Sequence, residues 1–388
     1  MSLFDANANN IGTRAKLYNE PIFQYYNESS RVPIVQVRGI LDDWFARYPD
    51  EGSTDLRNRF RSQDGRQHNA AFLELYLHEL LLRIGFTVEI HPEVDEPTHP
   101  DFLVSRNGER RFFLEATISA PSDLEVASDR RINQVYDTLN SLQNPDFFLA
   151  LRLHGAPDSP PPGAALRRRL ENWLSTLNWN AVQEAWAGEG FDGLPTYPWE
   201  HSGWSVIFQA LPKTGASRGS TDVRPIGLTM PLKVHQITVD EDIKSAVSVK
   251  NKYGRLDLPF AVAVNVTGDF CSKYDVMNSL FGHETVIFGP GGTRPGERLH
   301  DGAWDGPRGP QNTTISAVMV FKGLTAWNMR SNSPWLVHNP WAARALDPAE
   351  LPFSQFVPDS TTGRLVIRDG QAPGSFLALR DPWPPDED

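Results

Sequence analysis

Two carboxylates, Asp101 and Glu115, lie 14 positions apart, and each adjoins a short apolar run. The segment between them contains Arg106-Asn107-Gly108-Glu109, which is typical of a hairpin turn. Opposed residues on antiparallel strands share a face, so pairing Phe102 with Leu114 places Asp101 opposite Glu115. Neighbouring carboxylates repel unless a cation or a proton lies between them, which predicts a divalent metal bound by oxygen ligands. The alternative is two solvated charges on a polar sheet face.

A third acid lies on a predicted helix upstream of this hairpin. Residues 71–85 have helical periodicity and end at Gly85, with leucines and an isoleucine on one face. Steps of about 100° place Glu74 at the margin of that face and Glu79 well away from it. We therefore expect Glu74 to lean over the sheet beside the other two acids and Glu79 to be a solvated helix charge. The alternative for Glu74 is a surface glutamate on a core helix.

Taken together, these elements resemble the core of the PD-(D/E)xK nuclease superfamily, also called the restriction-endonuclease fold. The resemblance is carried by the helix with Glu74, the strand at 86–90, the Pro100-Asp101 strand and the apolar strand that ends in Glu115-Ala116-Thr117. It covers roughly residues 68–155. It implies an α/β protein with a mixed central sheet flanked by helices, here with a large elaborated C-terminal half.

The resemblance also implies a metal site. In that superfamily, the helix Glu, the Asp and the following Glu bind one or two magnesium ions, and the middle residue of the last triplet offers its carbonyl. The corresponding ligands here are Glu74, Asp101, Glu115 and the carbonyl of Ala116. The cofactor would be Mg²⁺ or Mn²⁺, which lowers the pKa of a bound water and stabilises charge on a scissile phosphate.

One position departs from the motif, because Thr117 stands where the superfamily usually has a lysine. A hydroxyl donates a hydrogen bond but carries no charge, so either another basic residue replaces the lysine or the protein binds without cutting. A helix predicted at 242–254 precedes a buried strand predicted at 259–265. In this superfamily, relocated lysines come from helices near the site. This makes Lys250 the first candidate and Lys244 the next, and the alternative is that both are solvated helix lysines.

Composition describes an ordinary globular protein. The chain has 388 residues, of which 40% are apolar and 22% charged. No apolar run reaches the roughly 18 residues of a membrane span, and the polar N-terminus lacks a signal-peptide core. A single cysteine, Cys271, excludes an internal disulfide and is typical of a reducing cytosol. We therefore expect a cytoplasmic protein without a membrane partner.

Charge counts against a polyanionic partner, since the formal net charge is −11. Basic clusters nevertheless occur at Arg106 with Arg110-Arg111, at Arg130-Arg131 and at Arg167-Arg168-Arg169. Each cluster is either a phosphate contact or a solvated face. The first two lie next to the proposed site in the sequence.

The chain is predicted to have four segments. These are an N-terminal helical arm at 1–65, the nuclease-like core at 66–155, a helical insertion with further sheet and helix elements at 156–290, and a Gly/Pro/Trp-rich region at 291–388. The core is predicted to close with a helix at 128–142 and a strand at 147–153, before a proline-rich break at 157–163.

These observations and the resemblance lead to one functional expectation and two alternatives. The expectation is a magnesium-dependent nuclease, a DNA endonuclease of the restriction or phage-defence kind. Glu74, Asp101 and Glu115 would bind the metal, and Lys250, with Thr117, would assist attack by water. The alternatives are a catalytically inactive recognition or scaffold subunit and an RNA nuclease. A homodimer or a defence-system partner protein is a further possibility that the resemblance raises.

Overall fold

The computed structural model divides the chain into two compact units. The first comprises Met1–Arg14, Pro21–Ala120 and Thr238–Asp388, and the second comprises Ala15–Glu20 and Pro121–Ile237. The structure describes residues 1–6, 11–95, 99–119, 123–220, 224–231, 239–250, 256–267, 271–289, 292–359, 361–362 and 364–385.

An eight-stranded mixed sheet lies at the centre of the first unit. Numbered along the chain, its strands in spatial order are β1 (Thr87–Ile90), β2 (Phe102–Arg106), β3 (Glu109–Ser119), β8 (Phe260–Val266), β13 (Ala317–Lys322), β14 (Trp335–His338), β15 (Gln355–Pro358) and β16 (Leu365–Arg368). Strands β3, β8 and β13 are parallel, as are β14 and β15, and the other neighbours are antiparallel. The expectation of an α/β protein with a mixed central sheet flanked by helices is therefore confirmed.

Helices cover both faces of this sheet because side chains alternate between the two faces along each strand. On β3, Phe112 and Leu114 belong to one core cluster, whereas Phe113 belongs to the other. The first cluster is built with α1 (Ile22–Glu28), α2 (Val32–Phe45), α3 (Asp50–Phe60) and α4 (Gly65–Arg83). The second is built with α8 (Val239–Val249) and α9 (Lys273–Phe281). The first unit also contains two short hairpins, β9 (Glu284–Gly289) with β10 (Gly292–Arg298) and β11 (Asp305–Gly306) with β12 (Gly309–Pro310).

Helix α4 ends where the sequence predicted, with Gly85 at φ +89° after its last turn. The prediction for Glu79 was wrong, because this carboxylate is fully buried rather than solvated. It accepts hydrogen bonds from Arg47 at 2.7 and 3.0 Å and from Arg83 at 2.7 Å. Helical periodicity missed this burial because α2 covers the face of α4 that would otherwise meet solvent.

The second unit has a four-stranded sheet in the order β5 (Thr196–His201), β6 (Trp204–Pro212), β4 (Phe147–His154) and β7 (Ile226–Pro231). Its helices are α5 (Asp123–Leu139), α6 (Gly163–Ser175) and α7 (Trp179–Glu189). The strand predicted at 147–153 forms as β4, but it belongs to this sheet and not to the central one. The predicted segment boundary at residue 156 falls inside this unit, between β4 and α6. An apolar strand pattern indicates burial without indicating which sheet the strand joins.

None of the helices in the described part of the chain combines the length and apolar character that a bilayer crossing requires.

Candidate functional site

Asp101 and Glu115 lie side by side, as the hydrophobic pattern predicted. Phe102 pairs with Leu114 and Val104 with Phe112 in the β2–β3 ladder, so the predicted register is confirmed. The backbone N–H of Asp101 donates to Glu115 Oε2 at 3.3 Å, and the N–H of Ala116 donates to Asp101 Oδ2 at 2.7 Å. Each carboxylate is thus oriented by the backbone of the opposite strand.

Electrostatics at this pair favour an added positive charge. Burial raises the pKa of Asp101 well above its usual value, and the negative charges of Glu115 and Glu74 raise it further. The hydrogen bond from Ala116 and the charge of Lys250 act in the opposite direction on this pKa. Glu115 itself is only 4% exposed. The buried carboxylate of Glu115 and the partly buried carboxylate of Asp101, whose pKa is raised, lie on adjacent strands and provide hard oxygen ligands where a divalent cation would relieve their repulsion.

Lys250 reaches this pair from the helix on the same face of the sheet. It follows directly after the last residue of α8, and its Nζ lies 2.6 Å from Glu115 Oε1. The lysine side chain is 18% exposed and the glutamate side chain 6%. A short hydrogen bond between two ions at this depth is stronger than one at the surface. The structure therefore places an ammonium group beside Glu115, one of the two acids of the pair.

Lys244, the second candidate for that ammonium group, is not near the pair. Its Nζ lies 3.2 Å from Glu241 Oε1, one turn earlier on α8, and both side chains are partly exposed. Such a pair stabilises a helix by only a few tenths of a kcal/mol, roughly 0.3–0.5. Lys244 is thus a partly exposed lysine that pairs within its own helix.

Glu74 lies close enough to influence Asp101, but a different partner occupies its carboxylate. Arg59 of α3 donates to both oxygens of Glu74, at 2.6 Å each, and its Nε donates to Asp55 at 2.7 Å. The Glu74 side chain is 8% exposed. Each Glu74 oxygen thus keeps one further acceptor position, but the guanidinium charge of Arg59 beside it disfavours a cation there.

The described residues contain no group of three or more His, Cys, Asp or Glu side chains arranged to hold a metal ion. Of the predicted ligands, the structure brings Asp101, Glu115 and the backbone of Ala116 together. The donor set of these residues fits a hard cation, and Glu74 adds charge nearby. Thr117 lies two residues after Glu115 on β3 and therefore faces the same side of the sheet.

The first basic cluster, Arg106 with Arg110-Arg111, forms ion pairs with acids other than Asp101 and Glu115. Arg110 donates to Asp257, while Arg106 and Arg111 pair with Glu350. In the β2–β3 ladder, Arg106 lies opposite Glu109 next to the turn, and it is four residues further along β2 than Phe102. At about 3.3 Å per residue, this is the opposite end of the hairpin from Asp101. The second cluster, Arg130-Arg131, lies on α5 in the second unit.

Sequence reasoning missed two residues of this region, Arg59 and Tyr48. Arg59 is 15 positions from Glu74 and on a different helix, so no local spacing indicates the pair. Tyr48 lies in the turn between the end of α2 at Phe45 and the start of α3 at Asp50. The charges of Glu74, Arg59 and Asp101 all act on its hydroxyl.

The helix that carries Lys250 is tethered at its other end by a histidine between two carboxylates. His283 Nε2 lies 2.6 Å from Asp240 Oδ2 in the first turn of α8, and His283 Nδ1 lies 2.7 Å from Asp301 Oδ2. Both bonds form only when both ring nitrogens carry protons. The hydrogen bond to Asp301 has the largest effect and raises the pKa of His283. Burial lowers this pKa by less, and the hydrogen bond to Asp240 and the charges of both carboxylates raise it, so the net pKa lies above its usual value.

We expect this tether to weaken as pH rises. Because the folded-state pKa of His283 is raised above its usual 6.5, its contribution to stability is fully present below 6.5 and is lost as pH rises through the folded value. The difference in melting temperature between the wild type and His283→Gln should therefore be largest near about pH 5.5 and smaller near about pH 8.5. A difference that stays constant across this range would contradict a protonated tether.

Comparison of the chain with protein-family models, with curated proteins and with solved structures gave no match.

Proposed function

We propose that this chain is a metal-dependent nuclease that hydrolyses phosphodiester bonds, a DNA endonuclease of the restriction or phage-defence kind with a restriction-endonuclease-like core. One observation carries the proposal. The ammonium of Lys250 lies 2.6 Å from Glu115, which faces Asp101 on the next strand. Two acids and an ammonium group are the side chains that the PD-(D/E)xK motif supplies, and here the ammonium comes from a helix instead of from position 117.

The roles of the side chains follow from their chemistry. Asp101 and Glu115 would hold the cation, and the backbone N–H groups that bond them keep their oxygens in place. Bound Mg²⁺ or Mn²⁺ supplies a Lewis acid and lowers the pKa of water. Lys250 would orient the attacking water and offset phosphate charge. Thr117, on the same strand face as Glu115, would add a hydrogen-bond donor.

The net charge of −11 disfavours binding of a polyanion such as nucleic acid, and a bound cation would offset only part of this charge. A bound divalent cation neutralises two of the negative charges at the site itself, which is where the phosphate must approach. The rest of the acidic surface would disfavour non-specific adhesion, so we expect binding to nucleic acid to need the metal.

A non-catalytic scaffold of the same fold is the second candidate. The observation that favours it is the pairing of Glu74 with Arg59 and of Glu115 with Lys250, which compensates both acids without a metal. In that case, the ion pairs would serve stability alone.

Incubation with plasmid DNA and with RNA, each with Mg²⁺, Mn²⁺ or EDTA, tests the proposal. We expect metal-dependent cleavage that EDTA abolishes and that Glu115→Gln lowers at least about 100-fold, because the variant loses a ligand charge at the cation. Glu109→Gln is the matched control, since Glu109 lies on the same strand but is 74% exposed at the turn. Cleavage of RNA alone would make the protein an RNA nuclease. No cleavage of either substrate, with no rise in melting temperature on adding Mn²⁺, would favour the scaffold.

A further inference from the structure

A polar cleft lies beyond the carboxyl end of β13, in the loop that leads to β14. It has a volume of about 410 Å³ and is lined by Lys322, Asn328, Ser331, Asn332, Ser333 and Trp335. This volume is at the lower end of the range in which proteins hold small ligands, about 300–1,000 Å³. Strands β3, β8 and β13 are parallel, and ligands of such sheets commonly bind beyond the carboxyl ends of the strands.

Lys322 brings to this cleft a positive charge that no carboxylate neutralises. Its side chain is exposed, and its Nζ lies 4.5 Å from the centroid of the Trp335 ring. A cation at this distance is attracted to the face of an indole, so the ring helps to hold the ammonium in place. Within the described part of the chain, Lys322 forms no ion pair. An anion that enters the cleft therefore meets an ammonium group without a competing acid.

Two asparagines hold the loop that carries the other lining residues. Asn265, buried on β8, donates to the carbonyl of Leu324 at 2.9 Å and accepts from the N–H of Leu324 at 2.8 Å. Asn328 donates to the carbonyl of Gly323 at 2.8 Å and accepts from the N–H of Thr325 at 2.8 Å. The loop is thus ordered by its own hydrogen bonds, and a ligand need not order it on binding.

A third asparagine, Asn332, has an acceptor to spare. The residue is only 8% exposed, and its Nδ2 donates to the carbonyl of Lys322 at 2.7 Å. Its Oδ1 has no hydrogen-bond partner among the residues that the structure describes. A buried acceptor without a donor is unfavourable, and a ligand with an amino group would relieve it. The exposed hydroxyls of Ser331 and Ser333 can donate or accept.

The cleft opens on the same face of the central sheet as the acids. Ser119 pairs with Val266, and Val266 pairs with Lys322, so these three residues form one row across β3, β8 and β13. Glu115 lies four residues before Ser119 and faces the same side. Four residues of about 3.3 Å and two strand spacings of about 4.8 Å put the Cα atoms of Glu115 and Lys322 about 16 Å apart. A stacked strand, with about 3.4 Å per nucleotide, covers this distance in about five nucleotides.

The groups in the cleft match the parts of a nucleotide. The ammonium suits a phosphate, the amide and hydroxyls suit the polar edge of a base, and the indole ring suits its flat apolar surface. We propose that the cleft binds one unpaired nucleotide of the strand that the protein cuts, with the phosphate at Lys322 and the base beside Trp335 and Asn332. The inference rests on the proposed function, because the same strand must also reach Asp101 and Glu115.

Isothermal titration calorimetry with deoxyadenosine monophosphate in EDTA tests the cleft separately from the metal site. The adenine amino group of this probe is a donor that Asn332 can accept. We expect the wild type to bind the probe and Lys322→Met to bind it at least about 10-fold more weakly, because the variant loses a hydrogen bond to a charged group. No binding by the wild type, or equal binding by Lys322→Met, would overturn the inference and leave the proposed function intact.

Lys273→Met is the matched control. Lys273 is also exposed and its Nζ lies 4.7 Å from the centroid of the Phe356 ring, but it does not line the cleft. Its replacement should leave the affinity for the monophosphate unchanged. Both variants should melt at the temperature of the wild type, since substitutions of exposed side chains change stability little. An equal loss of affinity in Lys273→Met would overturn the inference, because it would show a general effect of positive charge.

Cleavage kinetics on single-stranded DNA with Mg²⁺ distinguish a nucleotide within the strand from a free one. Lys322→Met should raise KM about 10-fold and leave kcat unchanged, because a contact remote from the broken bond contributes equally to the bound substrate and the transition state. An unchanged KM would overturn the assignment to the strand, as would a wild type that cuts plasmid DNA but not single-stranded DNA. A wild type that binds the monophosphate but cuts neither DNA nor RNA would overturn the proposed function and leave a site for a free nucleotide.

Discussion

Replacing Lys250 with methionine is expected to lower the rate of metal-dependent cleavage at least about 100-fold, because charge stabilisation and proton transfer at a reacting centre typically contribute this much. Methionine retains the length of the side chain and removes the ammonium that lies 2.6 Å from Glu115 Oε1. The rate is measured on plasmid DNA at saturating Mg²⁺. Affinity for Mn²⁺ should not fall, since removal of a positive charge beside the ligands favours the cation. This combination separates a group that acts on the substrate from one that only supports the metal.

Lys244→Met is the matched control for Lys250. The two lysines belong to the same helical segment, but Lys244 pairs with Glu241 in a partly exposed position. Its replacement should leave cleavage within about twofold of the wild type, since surface ion pairs contribute little. Cleavage by Lys250→Met at the wild-type rate, with the variant folded, would show that a different group carries the charge.

Glu79→Ala is expected to lower the free energy of unfolding by about 3 kcal/mol, the lower end of the range for breaking a buried ion pair. The carboxylate has no exposure and accepts hydrogen bonds from both Arg47 and Arg83. Its removal leaves a cavity and takes the Glu79 acceptor from both arginines, of which only Arg47 keeps another ion pair among the described residues, with Asp43 at 3.5 Å. The effect stays at the lower end because both arginine side chains are 38% exposed and regain water. The measurement is urea-induced unfolding followed by circular dichroism.

Glu89→Ala provides the comparison, because Glu89 lies on the neighbouring strand β1 and is exposed. Its replacement should change the unfolding free energy by no more than about 0.5 kcal/mol. Equal unfolding midpoints for Glu79→Ala and the wild type would mean that the three-residue cluster of Glu79, Arg47 and Arg83 contributes nothing net. Either result bears on stability alone, because Glu79 lies outside the proposed metal site.

The sequence by itself determined the pairing of Asp101 with Glu115. Side chains alternate with a period of two along a strand, so a slip by one residue would move the apolar set around Phe102 to the face opposite that around Leu114. The turn at Asn107-Gly108, with both residues at positive φ, pairs Arg106 with Glu109, and a register shift of one residue between Val104 and Ser105 then brings the strands to the pairing of Phe102 with Leu114. The helix that ends at Gly85 was equally predictable, because helical periodicity and a left-handed glycine are local signals.

Only the tertiary structure decided which charges meet. Lys250 and Glu115 are 135 positions apart, and the larger part of the second unit, Pro121–Ile237, lies between them in the sequence. No local spacing could therefore show that they are in contact. The hydrogen bonds from Arg59 to Glu74 and the burial of Glu79 likewise depend on helices packed against α4. Periodicity indicates which side of a helix or strand is apolar. The partner of a buried charge depends instead on which other element packs against the part of the surface that bears the charge.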